Sequence, residues 1–404
     1  MKKSWKMLLA TCAVAITALV APGIQSKAAT SVNMGVHQTD AGDSSVDIEW
    51  NAQLGYNHYH IEMSSDGINW NDMAYSSNPK DNISNLSQGQ TYYARIVAYK
   101  NGHYFDDHVR DTAAVSEAIR VCTIPTTPTE FKQTAATKNS ATFTWEKVTG
   151  ATGYQLYVLD DNYDWKKIAT TTKNSITVKG LGTSSKEKYA VAAVKNVEGY
   201  DAVGKLSDSI YAKTTPSKVK TIDMTYFWSS LKECKFEWTS VNNADGYQYE
   251  VKKVSGKKVY DRKFTSSSDT YFKPYPQGTF IKARARAYIT VNGKKVYGSW
   301  SDYTYSGVSK RVTAKRSKNG KAITLNWKKV SGVTEYRIYI STNQNKGYKK
   351  VATVSSKKAA KYTITKYNKK SLKKGQKYYV RLKYVSKVGS KKKVGTVYSQ
   401  ATVY

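Results

Sequence analysis

Polar and apolar residues alternate along most of this chain. In KYYVRLKYV, Tyr378, Val380, Leu382 and Tyr384 share one face, and Lys377, Tyr379, Arg381 and Lys383 share the other. That period of two is how a half-buried strand is written. Four alternating segments run up to a tryptophan: VDIEW, ATFTWEKV, CKFEWTSV and ITLNWKKV carry Trp50, Trp145, Trp238 and Trp327, which lie 95, 93 and 89 residues apart. Nine residues after each tryptophan stands a tyrosine, Tyr59, Tyr154, Tyr247 and Tyr336, opening a second alternating run such as YQLYVL or YRIYIS. A third segment recurs as NWNDMA, DWKKIA and GYKKVA, with the looser KKVYDRKF in the third repeat. It reads as the return strand of a hairpin. Short strands at this regular spacing, with Gly, Asn and Ser between them, predict sandwiches rather than a parallel sheet with helices. No convincing amphipathic helix interrupts them. The expected fold is all-β, with four tandem β-sandwiches over residues 29–124, 125–215, 216–313 and 314–404. Pro125, Pro128 and Pro216 stiffen the first two linkers. The third boundary, near VSKRVTAKRSK, has no proline.

A further signature completes the plan. In LSQGQTYYARIVAY and LKKGQKYYVRLKYV, a leucine precedes Tyr92 or Tyr378 by six residues, and in the second repeat the spacing stretches to Leu181 and Tyr189. The early Trp, the Tyr nine residues later, and this Leu before a Tyr-x-Val-like strand resemble fibronectin type III domains. The fourth repeat is most similar to the Lys- and Tyr-rich version found in secreted proteins of Gram-positive anaerobes. The resemblance implies a tyrosine-corner role for Tyr92, Tyr189 and Tyr378. The third repeat departs from it, because the register that buries Ala283, Ala285 and Ala287 in TFIKARARAY puts Ile281 at that place. The corner bond should be missing there, which would leave this sandwich the least stable. The resemblance implies modules that space, stick and present, and no chemistry.

The N-terminus sets the compartment. Lys2, Lys3 and Lys6 precede an apolar run from Met7 to Ala21, and Ser26 and Ala28 fit the places before a cleavage site. This is the pattern of a secretory signal peptide over residues 1–28. Thr11 stands where a lipobox before Cys12 would want a smaller residue, so cleavage is expected rather than lipidation. No second long apolar stretch follows, so no transmembrane segment is expected after cleavage, and the mature chain should be extracellular. Cys122 and Cys234 are too few for a disulfide framework, and Cys234 falls on the inward face with Phe236 and Trp238.

Candidate chemistry is sparse. All five histidines lie in the first repeat. His58, His60 and Glu62 form one outward row, and His103, Asp106, Asp107 and His108 come from a loop that could lie beside it. Imidazoles with carboxylates can hold zinc or nickel, although a solvated face that happens to use histidine is the simpler account. Asp160, Asn162 and Asp164 begin like a calcium loop, but Trp165 and Thr171 occupy the places that need Gly and Glu. Trp70, Trp165 and Tyr348 could stack sugars, yet they fill one equivalent place in three repeats, which packing explains. With no nucleophile elbow, phosphate-cradling loop or paired buried carboxylates, neither an enzyme nor a cofactor is expected.

Charge changes the picture. The net charge of +34 is not spread evenly: it is −7 over 30–124, +3 over 125–215, +10 over 216–313 and +24 over 314–404, where Glu335 is the single acid. Alternation places Lys282, Arg284 and Arg286, then Arg337 and Tyr339, then Lys377, Tyr379, Arg381 and Lys383 on outward faces. Lys391, Lys392 and Lys393 sit at a hairpin. Lysines that only kept a rod soluble and blunted its edges would explain a few units of charge, but +24 on one sandwich costs self-repulsion. The expected partner is therefore an anionic cell-wall polymer such as teichoic acid, or an acidic glycan of a host surface, held without a covalent anchor. Export makes intracellular nucleic acid an unsuitable partner. The acidic first repeat would meet something else, such as another protein. The alternatives are an accessory protein that binds neutral polysaccharide through its aromatics, and an inert spacer; the oligomeric state is left open.

Overall fold

The computed structural model describes residues 30–100, 113–228, 233–254, 259–273 and 276–404. The expected signal peptide over residues 1–28, and the segment with His103, Asp106, Asp107 and His108, lie outside the described residues. The chain forms two compact units, one of residues up to Thr126 together with Lys195–Val203, the other of Thr127–Val194 with Gly204–Tyr404.

Every described element is a strand, and among the described residues no helix is long and apolar enough to cross a membrane. The fourth repeat shows the plan. Val312–Arg316, Ile323–Trp327 and Lys361–Ile364 form a three-stranded antiparallel sheet. A second sheet runs Lys349–Ser355, Glu335–Ser341, Tyr378–Val388 and Lys391–Val394, with Ser399–Val403 also pairing on Tyr378–Val388. The same pairing of a three-stranded sheet with a larger one recurs in the other repeats, around Ser140–Thr144, Glu233–Trp238 and Val46–Glu49 as central strands of the smaller sheets. In the first repeat the larger sheet gains Thr30–Val32, which pairs in parallel with Ala114–Ser116. The chain is thus a tandem array of fibronectin type III-like β-sandwiches, as the alternation predicts.

Each core closes around the recurrent aromatic pair. Trp50–Tyr59, Trp145–Tyr154, Trp238–Tyr247 and Trp327–Tyr336 place ring centroids 5.3, 5.1, 5.5 and 5.2 Å apart, a separation at which edge-on aromatic pairs attract. The tyrosine has a second use. Its hydroxyl accepts the backbone N–H six residues upstream, from Gln53, Val148, Val241 and Val330 at 3.2, 2.9, 2.8 and 2.9 Å. The tyrosine corner is uneven. Tyr92 and Tyr378 accept from Ser87 and Lys373 N–H at 2.9 and 3.2 Å. Tyr189 instead donates to Glu187 at 2.8 Å, so the longer spacing from Leu181 breaks the motif. Ile281 is fully buried in the third repeat.

Cys122 and Cys234 are free and buried. Burial pushes the Cys234 thiol up to about 12, and the Cys122 thiol to about 11 despite the opposing charge of Lys195, so both are inert packing residues. Cys122 packs with Ile124, Val197 and Ala202 inside the first unit.

The third and fourth repeats are joined by a packed core where a proline linker is lacking. Phe280 and Ile281 point to opposite faces of the strand Phe280–Val291 and enter different cores: Ile281 packs with Trp238 and Tyr247, Phe280 with Trp327 and Tyr384. A Cβ at Gly307 would lie 2.5 Å from Phe280 Cδ2, so glycine there is what admits the ring. Tyr384 Oη accepts from Ser309 N–H at 3.1 Å, and Thr396 Oγ1 donates to Met224 carbonyl at 2.9 Å.

Candidate anion-binding face

The larger sheets of the third and fourth repeats bring the predicted cations together, as the pairing of neighbouring strands requires. In the third repeat Lys282, Arg284 and Arg286 stand opposite Lys252, Glu250 and Gln248. Glu250 is fully buried and takes Lys252 at 2.8 Å, Arg284 at 3.1 Å and Arg262. Burial works against its ionisation, but the hydrogen bonds from Lys252 and Arg262 and the charge of Arg284 outweigh it and hold the carboxyl below its usual range. Arg286 donates to Gln248 Oε1 at 2.9 and 2.7 Å. The three cations also interleave with rings: Lys282 and Arg284 over Tyr303, Arg284 and Arg286 over Trp300, and Arg286 over Tyr297 at 3.8 Å. The donors of Arg284 and Arg286 are largely spent inside the protein, and these two residues brace the sheet.

The fourth repeat is less satisfied. Glu335 receives Arg337 at 2.9 Å and Lys392 at 2.6 Å. Burial opposes its charge, yet these two hydrogen bonds prevail and its pKa is lowered. Arg381 lies between Tyr348 and Tyr398, 3.7 and 4.2 Å from the ring centres, and donates to Gln400 Oε1 and Gln344 carbonyl. Lys377 sits over Tyr404 and Tyr379, and Lys383 over Tyr339. Lys393 faces Tyr305 at 5.5 Å, and Lys391 is exposed. Among the described residues Lys377, Lys383, Lys391 and Lys393 pair with no carboxylate. A ring beneath an ammonium steadies it without using up its charge, so these four remain able to meet an anion.

A basic groove absent from the sequence-based prediction lies at the open edge of the same sandwich. Lys349, Lys350, Lys366 and Lys369 line a space of about 570 Å³ with Tyr362 and Asn368. The two-residue turn that carries it holds Asn368 and Lys369 at φ of 51° and 63°. That is the geometry of a type I′ hairpin, in which asparagine is at ease and lysine is strained. The signal was present as the doublets YKKVA and YNKK, but doublets alone do not say which two strand edges meet.

Of the weak metal candidates in the first repeat, His58, His60 and Glu62 fall within the described residues and His103 and His108 do not. Arg95 Nε and Nη2 both lie 2.6 Å from Glu62 Oε2. His60 packs against Tyr75 and Tyr99 and lies 3.7 Å from Asp72, and His58 lies 3.0 Å from Asn57 Oδ1. Among the described residues no group of three or more His, Cys, Asp or Glu could hold a metal ion. Trp70 and Tyr348 serve as platforms for Arg95 and Arg381, which agrees with a packing role.

No protein-family model matches the chain. The sequence is 29% identical over 212 residues, 48% of this chain, to chitinase A1 of Niallia circulans. The match spans 26% of that protein's length. Among solved structures, the FN1–FN3 domains of chicken CNTN1 align with 69% of this chain and 98% of theirs, at 16% identity and a TM-score of 0.30. FN3tt aligns with 23% of this chain and 96% of its own, at 23% identity and a TM-score of 0.20.

Proposed function

We propose that this is a secreted, non-catalytic surface protein whose basic C-terminal repeats bind an anionic extracellular polymer, either wall teichoic acid or an acidic host glycan. The observation that carries the reading is the +24 charge of residues 314–404 on an ordered sandwich, with Glu335 already committed to Arg337 and Lys392. If each engaged lysine contributes about 1 kcal/mol near an anionic surface, half a dozen give roughly micromolar attachment. The leader and the charge gradient support a chain held at a surface by its basic end, with the acidic first repeat free to meet another partner. The test is an array of wall polymers, acidic glycans and neutral polysaccharides probed with the intact chain. Retention on anionic polymers supports the reading; retention on neutral chitin alone overturns it.

The likeness to a chitinase favours a second reading, an accessory protein that binds neutral polysaccharide. That reading predicts binding that survives high salt and is lost on changing Tyr339 or Tyr379.

A further inference from the structure

The candidate face above is the outer surface of a sheet. A different feature has the form of a pocket. Where the third and fourth repeats meet, Gly278, Lys310, Arg311, Lys328, Lys329, Ser331 and Ser356 surround a cleft of about 740 Å³, floored by Val330, Val333 and Tyr336. That size falls in the usual range for small-molecule sites. Four cations line it and no carboxylate does. All four are exposed, and among the described residues none is in an ion pair.

The backbone around the cleft is braced, which brings the segments that carry its charges side by side. The buried Ser309 hydroxyl lies 2.8 Å from Arg311 carbonyl and 2.7 Å from Lys328 carbonyl, and Lys328 N–H donates to Arg311 carbonyl at 3.0 Å. These bonds fix the two basic segments side by side. On the other wall Ser331 N–H donates to Gly278 carbonyl at 2.7 Å, and Phe280 N–H to Ser331 carbonyl at 2.8 Å. The aliphatic stem of Lys310 packs on Gly278, where a Cβ would lie 3.2 Å from its Cε. Like charges brought together without a counter-ion repel, and an arrangement that maintains them is relieved by an anion.

We propose that this cleft is a specific site for one phosphate- or sulfate-bearing sugar or polyol unit of the bound polymer. The inference rests on the anionic-polymer reading and adds to it a defined pocket. An Arg fork, three ammonium groups and two serine hydroxyls are the donor set that a tetrahedral oxyanion uses. The narrow apolar floor would meet the carbon skeleton that bears it.

The test uses the intact chain in calorimetric titrations with two probes, a glycerol-phosphate oligomer and a sulfated hexosamine oligosaccharide, which separate a bacterial from a host source. Arg311→Gln with Lys329→Gln removes two charges from the cleft, and Lys318→Gln with Lys321→Gln removes two from the hairpin at the far end of the same strand. The cleft pair is expected to weaken binding about tenfold, and the hairpin pair by less than about threefold, as a screened field would give. Ser309→Ala, which keeps every charge but removes the hydroxyl bonds to the Arg311 and Lys328 carbonyls, should also weaken binding, with a thermal melt confirming that the variant is folded. Equal losses for the two charge pairs, with Ser309→Ala unchanged, overturn the cleft and leave the polymer reading standing. Failure of the wild-type chain to bind either probe or any anionic polymer overturns both.

Discussion

Glu250 and Lys369 show how much single residues carry in a surface this basic. Glu250 is fully buried under three cations, Lys252, Arg262 and Arg284. Its folded pKa lies below the ordinary value of 4.5. A depressed carboxylate contributes stability that is fully present above its unfolded pKa and lost as pH falls through its folded one. The melting temperature should therefore fall on acidification from about pH 5 to about pH 3, and fall less in Glu250→Gln. At neutral pH that variant should lose about 2 kcal/mol, since it leaves guanidinium groups beside a neutral amide; chemical denaturation measures it. Lys369 makes the opposite case. Its φ of 63° is costly for a side chain with a Cβ. Lys369→Gly should raise stability by about 1 kcal/mol while weakening attachment to an anionic polymer, the mark of a residue kept for its charge.

Among the strands, alternation was enough to assign faces. Tyr378, Val380, Leu382 and Tyr384 are buried as the pattern requires, and Arg337, Tyr339, Lys377, Tyr379, Arg381 and Lys383 share the opposite side. The pattern does not reveal which cations are spent. Nothing local to TFIKARARAY shows that Glu250, some thirty residues earlier, neutralises Arg284, because strand register decides it. The hydroxyl of the recurrent tyrosine is not legible for a similar reason: its partner is a backbone N–H, which leaves no trace in residue type. The groove of Lys349, Lys350, Lys366 and Lys369 depends on two sheet edges meeting. From these differences follows a separation of effects. Lys391→Gln with Lys393→Gln should weaken polymer binding and leave stability within about 0.5 kcal/mol. Arg284→Gln should do the reverse, lowering stability more than affinity. Paired melts and binding isotherms distinguish the two classes.

At the scale of the molecule, charge rises along a series of similar sandwiches while the last two become mechanically joined. Phe280 lies in the core with Trp327 and Tyr336, although its own strand belongs to the third repeat. Phe280→Ala should cost about 3–5 kcal/mol and split a shared unfolding transition of these repeats into two, seen by calorimetry. The junction was not legible because no periodicity marks a side chain that crosses into the next core. The charge gradient is plain in the sequence, since it is a sum over residues and needs no register. Attachment through charge is tested most directly by its salt dependence. Equilibrium binding of the intact chain to purified anionic wall polymer or sulfated glycan, from about 50 mM to about 500 mM sodium chloride, should weaken steeply and continuously as the field is screened. Affinity that holds level across that range would contradict it.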